Sequence, residues 1–195
     1  MRRLVVAEGL SLDGVMQGPG SPDEDRSGGF EHGGWQQPYF DEVAAAELGK
    51  SIGETGGFVF GRKTYEIMAA YWPTAPEDNM FTEVLNTRPK YVASTTLHEP
   101  LEWSGSSLIQ GDVAEAVAAL KEEEGGDLVV LGSGQLAHYL LEHDLVDGWS
   151  LQIHPLLLGG GKRLFDGGGV KRPMRLIDAV TTSTGVILAN FAPEG

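Results

Sequence analysis

The chain has 195 residues with 14 Lys and Arg against 28 Asp and Glu, a formal net charge of -14, and no cysteine. Its 41% hydrophobic and 22% charged residues describe a globular chain rather than a disordered one, and the length suits one domain with a sizeable core. The missing cysteine excludes disulfides, thiolate zinc sites and a cysteine nucleophile, and the acidic balance disfavours nucleic acid, whose non-specific binding rests on neutralised phosphates.

Leu4 to Ala7 predicts a buried first strand. The apolar run stops at Glu8, far short of a signal-peptide core or a membrane span, so a soluble cytoplasmic protein is expected. Residues 18–34 are rich in Gly, Pro and Asp and read as a surface loop without a core of its own, a lid or a disordered stretch. Pro38 starts a predicted helix through Phe40, Val43, Ala44 and Leu48 to near Gly53. Phe58 to Phe60 is a short strand running into Gly61, and Arg62 to Ala70 reads as a helix. Phe81 to Asn86 reads as a further short helix, with strands at Lys90 to Ser94 and at Leu108 and Ile109.

Asp112 caps an amphipathic helix with Val113, Ala116, Val117 and Leu120 at helical spacing. Leu128 to Leu131 is fully apolar, as an inner parallel strand is, and Gly132-Ser133-Gly134 turns it into another helix. From Trp149 the pattern is all strand: Leu151 to His154, Met174 to Val180 and Val186 to Phe191, the last two forming a hairpin turned at Thr182 to Gly185. About eight strands and four helices, alternating first and ending on a hairpin, predict an α/β fold. Its central sheet is mostly parallel, with an antiparallel C-terminal edge and flanking helices in a single domain.

An anionic ligand on so acidic a chain must bind where local cations and backbone N–H groups reverse the potential. The basic clusters are Arg62 with Lys63, Lys162 with Arg163, and Lys171 with Arg172. The first lies in Gly61-Arg62-Lys63-Thr64-Tyr65-Glu66, where a strand-end glycine opens the backbone to phosphates and the next helix offers its positive dipole end. The residues fit an anion site or a solvated helix start with two surface cations. The second junction, Gly132-Ser133-Gly134-Gln135-Leu136, has part of a dinucleotide-binding turn without its third glycine, and fits cofactor binding or plain strand-to-helix packing. Both junctions fall at carboxyl ends of strands, where open α/β sheets bind ligands.

The order and spacing of GRKTYE, of Ser94-Thr95 after the next strand, and of the GSGQL turn resemble the dihydrofolate-reductase-like superfamily. His154-Pro-Leu-Leu-Leu-Gly-Gly-Gly-Lys-Arg-Leu-Phe165 is similar to its riboflavin-biosynthesis branch, the RibD C-terminal reductase domain. The likeness runs from Leu4 to Phe191. It implies the dihydrofolate-reductase-like fold and hydride transfer from NADPH to a pterin-like or pyrimidine-type heterocycle. Gly61, Arg62, Lys63 and Thr64 would hold the cofactor's phosphates, with Arg62 near the 2′-phosphate. Ser94 and Thr95 would contact the adenosine end. Gly132, Ser133, Gly134, Gln135 and Leu136 would line the pyrophosphate and nicotinamide side, and Ala7, Val15 and Met16 would cover the nicotinamide.

In dihydrofolate reductase proper a carboxylate on the first helix meets the pterin; here that helix offers Asp41, Glu42 and Glu47, none in clean alignment. Asp41 is the choice as catalytic acid, the other reading being a carboxylate that stabilises the helix start. His154 reads as a second proton donor or as a hydrogen-bonded core histidine. Gly159 to Lys162 reads as a seat for a substrate phosphate or as a turn, and Trp35, Tyr71 and Trp72 as stacking platforms or packing. His143, Asp144 and Asp147 lack a metal-binding spacing. The resemblance implies a homodimer through the C-terminal strands. The rival from another class is a non-catalytic NADP(H)-binding module.

Overall fold

A computed structural model of the protein describes residues 1–165 and 171–194. Its strands are β1 (Leu4–Ser11), β2 (Thr55–Gly61), β3 (Lys90–Ala93), β4 (Ser106–Leu108), β5 (Asp127–Leu131), β6 (Gly148–His154), β7 (Met174–Thr181) and β8 (Ile187–Pro193). The helices are α1 (Glu42–Gly53), α2 (Arg62–Tyr71), α3 (Thr82–Thr87), α4 (Val113–Glu122) and α5 (Gly134–Glu142). The strands form one sheet in the order β4-β3-β2-β5-β1-β6-β8-β7. The pairs β4-β3, β3-β2 and β2-β5 are parallel, while β6-β8 and β8-β7 are antiparallel. This is the α/β fold expected from the sequence, with its antiparallel C-terminal edge.

By contacts the chain divides into two compact units, Met1–Val6 with Glu47–Asp147, and Ala7–Ala46 with Gly148–Gly195. In the first unit, alternate residues of β2 drive an aromatic core. Phe58 and Phe60 stack at 5.8 Å between ring centroids, Trp103 lies 6.0 Å from Phe60, and Tyr65, Leu85 and Val92 complete the cluster. Fully burying each such side chain contributes about 1.5–3 kcal/mol. Asp112 caps α4 as expected, its Oδ1 accepting the N–H of Glu115 at 3.0 Å. Lys90, at the start of β3, is wholly buried.

In the second unit three expectations change. Strand β1 continues past Ala7 to Ser11, because Glu8 and Ser11 are buried within it. Pro38 does not begin the helix. It sits in a single 3₁₀ turn, Gln37–Tyr39, and α1 starts at Glu42 behind an Asp41 cap. The 18–34 segment does have a core. Phe30 and Trp35 pack on Val15 against Leu156 and Leu158, and Trp35 Nε1 donates to the carbonyl of Gln17 at 2.8 Å. The amide of Gln17 in turn donates to the carbonyls of Asp25 and Ser27. Two aromatic rings sufficed to fold a stretch whose composition otherwise reads as loop.

Candidate cofactor site and proton donors

Strands β2, β3 and β5 run parallel, with Gly61 opposite Ala93 and Val59 opposite Val130, so their carboxyl ends share one edge of the first unit. Gly61, Ser94 and Gly132 follow at that edge. Helix α2 starts at Arg62 and α5 at Gly134, and neither N-terminus is closed by a side-chain cap or an acidic residue in its first turn. Two positive dipole ends with free N–H groups therefore lie next to each other.

The two turns are locked together. Gly61 N–H donates to Ser133 Oγ at 2.8 Å, and the Ser133 hydroxyl donates to Thr64 Oγ1 at 2.7 Å. A Cβ on Gly61 would stand 3.0 Å from Ser133 Oγ. One on Gly132, where φ is +66°, would stand 3.0 Å from Thr64 Cγ2. These glycines allow turn-to-turn packing, and the N–H of Gly61 is used by Ser133 rather than left open to a ligand. Ser133 itself holds a left-handed conformation at φ 63°, which costs a non-glycine residue about 1–2 kcal/mol. Gln135 is exposed at the start of α5 and Leu136 is buried beneath it.

Arg62 is not unpaired. Its guanidinium donates to both oxygens of Glu66, each at 3.0 Å, one turn along α2. Such exposed pairs contribute little, so a phosphate can compete for the guanidinium. Lys63 is exposed and forms no ion pair among the described residues. Past β3, Ser94 Oγ accepts the N–H groups of Thr96 and Leu97, shaping a turn over a hollow of about 280 Å³. Ser94, Thr95, His98 and Gln110 give that hollow a largely polar wall.

The proposed proton donors fare differently. Asp41 is half-buried, and both its oxygens are engaged. Oδ1 accepts Ala44 N–H at 2.8 Å, while Oδ2 accepts the Ser183 hydroxyl at 2.6 Å and Thr184 N–H at 3.2 Å. These bonds hold its pKa down to about 2, so it stays ionised and serves as a helix cap tied to the β7–β8 turn. His154 is 2% exposed. Its Nδ1 faces the carbonyls of Gln152 at 3.0 Å and Leu10 at 3.2 Å, which requires the proton on that nitrogen. Trp35 and Tyr39 meet the ring edge-on, and burial pushes its pKa down, so it is a neutral core histidine. Glu42 is exposed and Glu47 pairs with Lys50.

Ala7 is half-buried on β1. Val15 is fully buried and its N–H goes to Ser11 Oγ, whereas Met16 is half-buried and its N–H goes to the carbonyl of Lys162. The glycine turn at 159–161 is occupied from within. Asp13 accepts the N–H groups of Leu158 and Gly159 and pairs with Arg163, while Lys162 pairs with Asp25. Among the described residues no cluster of acidic and histidine side chains could hold a metal ion, and no helix is long and apolar enough to cross a membrane.

The sequence reading passed over Glu8. Its side chain is 6% exposed, its Oε2 has no hydrogen-bond partner, and burial pushes its pKa up to about 8. The signal was present in β1, where Leu4, Val6, Glu8 and Leu10 share the buried parity.

The model of the RibD C-terminal domain matches residues 2–188. The chain belongs to the RibD C-terminal domain family. Among curated proteins it is similar to the uncharacterized protein YyaP of Bacillus subtilis (strain 168), at 29% identity over 132 residues, 66% of this chain and 69% of YyaP. Among solved structures, a putative riboflavin biosynthesis protein from Shewanella sp. PV-4 superposes with a TM-score of 0.71 at 19% identity, covering 99% of both chains. A pyrimidine reductase-like protein from Corynebacterium diphtheriae gives 0.68 at 13% identity, covering 100% of this chain and 92% of that one. Dihydrofolate reductase from Enterococcus faecalis, complexed with NADP(H) and RAB-propyl, gives 0.61 at 14% identity, covering 99% and 97%. The RibD C-terminal chain thus has the dihydrofolate-reductase-like fold, and its family supports a reductase-like function.

Proposed function

We propose that the chain is a single NADPH-dependent reductase domain that transfers hydride to a pterin-like or pyrimidine-type heterocycle. The phosphorylated form of that chemistry is the reduction of 5-amino-6-(5-phosphoribosylamino)uracil. The observation that carries the reading is the meeting of two uncapped helix N-termini, Arg62 and Lys63 at one strand edge, beside the hollow under Ser94 and Thr95. Residues 61–64 and 132–136 suit the phosphates of a dinucleotide, and the polar hollow suits its nucleoside end. Bound NADPH supplies the hydride; the chain supplies binding, orientation and exclusion of water. Lys162 and Arg163 are engaged by Asp25 and Asp13, which favours a heterocycle without a sugar phosphate.

Titration with NADPH and NADH tests the cofactor. NADPH is expected to bind about tenfold or more tightly than NADH, and Arg62→Ala to remove that preference by deleting a charge-assisted contact to the 2′-phosphate. Equal binding of both nucleotides, or a preference unmoved in Arg62→Ala, overturns the assignment. The alternative, a non-catalytic NADP(H)-binding module, draws support from the engagement of Asp41 and His154. It predicts intact NADPH binding with no oxidation of NADPH by dihydrofolate or by the aminouracil.

The same reading makes the protein a homodimer through its C-terminal strands. β7 ends the sheet, and Leu176 and Ile177 are about half exposed on it, 52% and 49%. An open strand edge with apolar side chains is a template for a second chain. Sedimentation should give a dimer for the natural chain and a monomer for Leu176→Lys with Ile177→Lys; a natural chain that is monomeric at micromolar concentration refutes it.

A further inference from the structure

Reducing a C=N bond requires a proton at nitrogen as well as a hydride at carbon, so the site needs an acid still protonated at working pH. In the second unit the other carboxyls are either exposed or engaged. Asp13 and Asp25 hold cations, Glu24 Oε2 accepts Gly20 and Ser21 N–H, and Asp41 caps α1. Among the described residues only Glu8 Oε2 and Ser106 Oγ are buried side-chain polar atoms without a partner. A native protein rarely leaves such a group unsatisfied without a use for it. Resting on the reductase reading above, we propose that Glu8 is the catalytic acid of this protein, its Oε2 hydroxyl donating to a ring nitrogen of the flat heterocycle.

The surroundings suit that task. Glu8 lies on β1, a rigid element, with Gly9 N–H acting on its carboxyl. A Cβ on Gly9 would stand 3.2 Å from Gln36 Oε1, and Gln36 Nε2 donates to Gln152 Oε1 at 2.8 Å, so this neighbouring polar pair is already satisfied. The charge acting on Glu8 is Glu24, from the 18–34 segment. Glu24 is itself pushed up by burial and by Asp25. From β6, His154 is bound to the carbonyl of Leu10 and neutral. Burial and a like charge keep the Glu8 proton in place up to about pH 8. Unlike Asp41, Glu8 is an acid that can give a proton near neutral pH.

The test is a titration of the full chain with 6,7-dimethyl-7,8-dihydropterin, which carries neither phosphate nor tail, between pH 6 and pH 10. Each sample is also titrated with NADPH. If the ligand needs the protonated acid, affinity should be level below the Glu8 pKa and fall about tenfold per pH unit above it. Glu8→Gln keeps an N–H donor and the same shape, so it should bind with a flat profile. Glu8→Ala should bind at least about tenfold more weakly at pH 7, having lost the hydrogen bond. Glu24→Gln should move the fall to lower pH without removing it. A flat wild-type profile, a fall that survives in Glu8→Gln, or no dihydropterin binding overturns the proposal. If NADPH still binds in those cases the cofactor assignment stands; if NADPH binding is absent, that assignment fails on its own.

Discussion

Glu8→Gln is expected to stabilise the ligand-free protein by about 5 kcal/mol at pH 9 while leaving it almost unchanged at pH 4. The Glu8 carboxyl has its pKa raised from 4.5 to about 8 by burial. Between those values the folded chain holds a proton that the unfolded chain has released, so stability is full below pH 4.5 and is lost as pH rises through about 8. Glutamine does not titrate and escapes the loss. The measurement is urea unfolding of both proteins at several pH values, reading the difference between them. That difference cancels Asp13, Asp25 and Asp41, whose lowered pKa values make both proteins weaker in acid. A difference independent of pH would mean that Glu8 is hydrated in solution. The same result would remove the ground for treating it as an acid held protonated near pH 8. A liability of this size in a core strand is what an active-site acid requires, since its pKa is raised by the desolvation that weakens the fold.

The elements of the first unit were legible because local and global preferences agree there. Leu128 to Leu131 is apolar throughout and is an inner strand with a neighbour on each side. Asp112 stands before a helical repeat and caps it. The glycines at 61 and 132 were also legible as special, but not for the right reason. The sequence motif suggests room for a ligand, whereas the space at each is taken by the opposite turn, through Ser133 and Thr64. Such packing joins residues about 70 positions apart, and no local pattern encodes it. The proton donors failed for a related reason. Asp41 and His154 were chosen by place in the chain, but their partners, Ser183 and Leu10, are 142 and 144 residues away. Glu8 was readable in principle. Strict alternation places it with Leu4, Val6 and Leu10, and a carboxylate at buried parity is a stronger functional signal than one at a helix start, where capping is its ordinary use.

Lys90→Met is expected to destabilise the protein by about 3 kcal/mol at pH 7, with Lys90→Arg no better tolerated. The Lys90 ammonium is wholly buried and donates to the carbonyls of Arg88 at 2.8 Å, Leu85 at 2.9 Å and Asn86 at 3.5 Å. Helix α3 has six residues, so its last carbonyls lack acceptors' partners within the helix, and the lysine supplies them from β3. The ammonium also lies 4.6 Å from the Trp103 ring centroid, a contact of about 1 kcal/mol or more when desolvated. Burial pushes the Lys90 pKa down to about 8, still above neutrality, so the cation persists at pH 7. Methionine keeps the stem and fills the space, but leaves the carbonyls without a donor. Arginine brings a planar fork where the acceptors converge on a point. Urea unfolding at pH 7 reads both. Because Lys90 opens β3, which leads into Ser94 and Thr95, a loosened α3–β3 corner should also weaken NADPH binding. A Met variant as stable as the parent would show that water reaches these carbonyls and that Lys90 is dispensable to the fold.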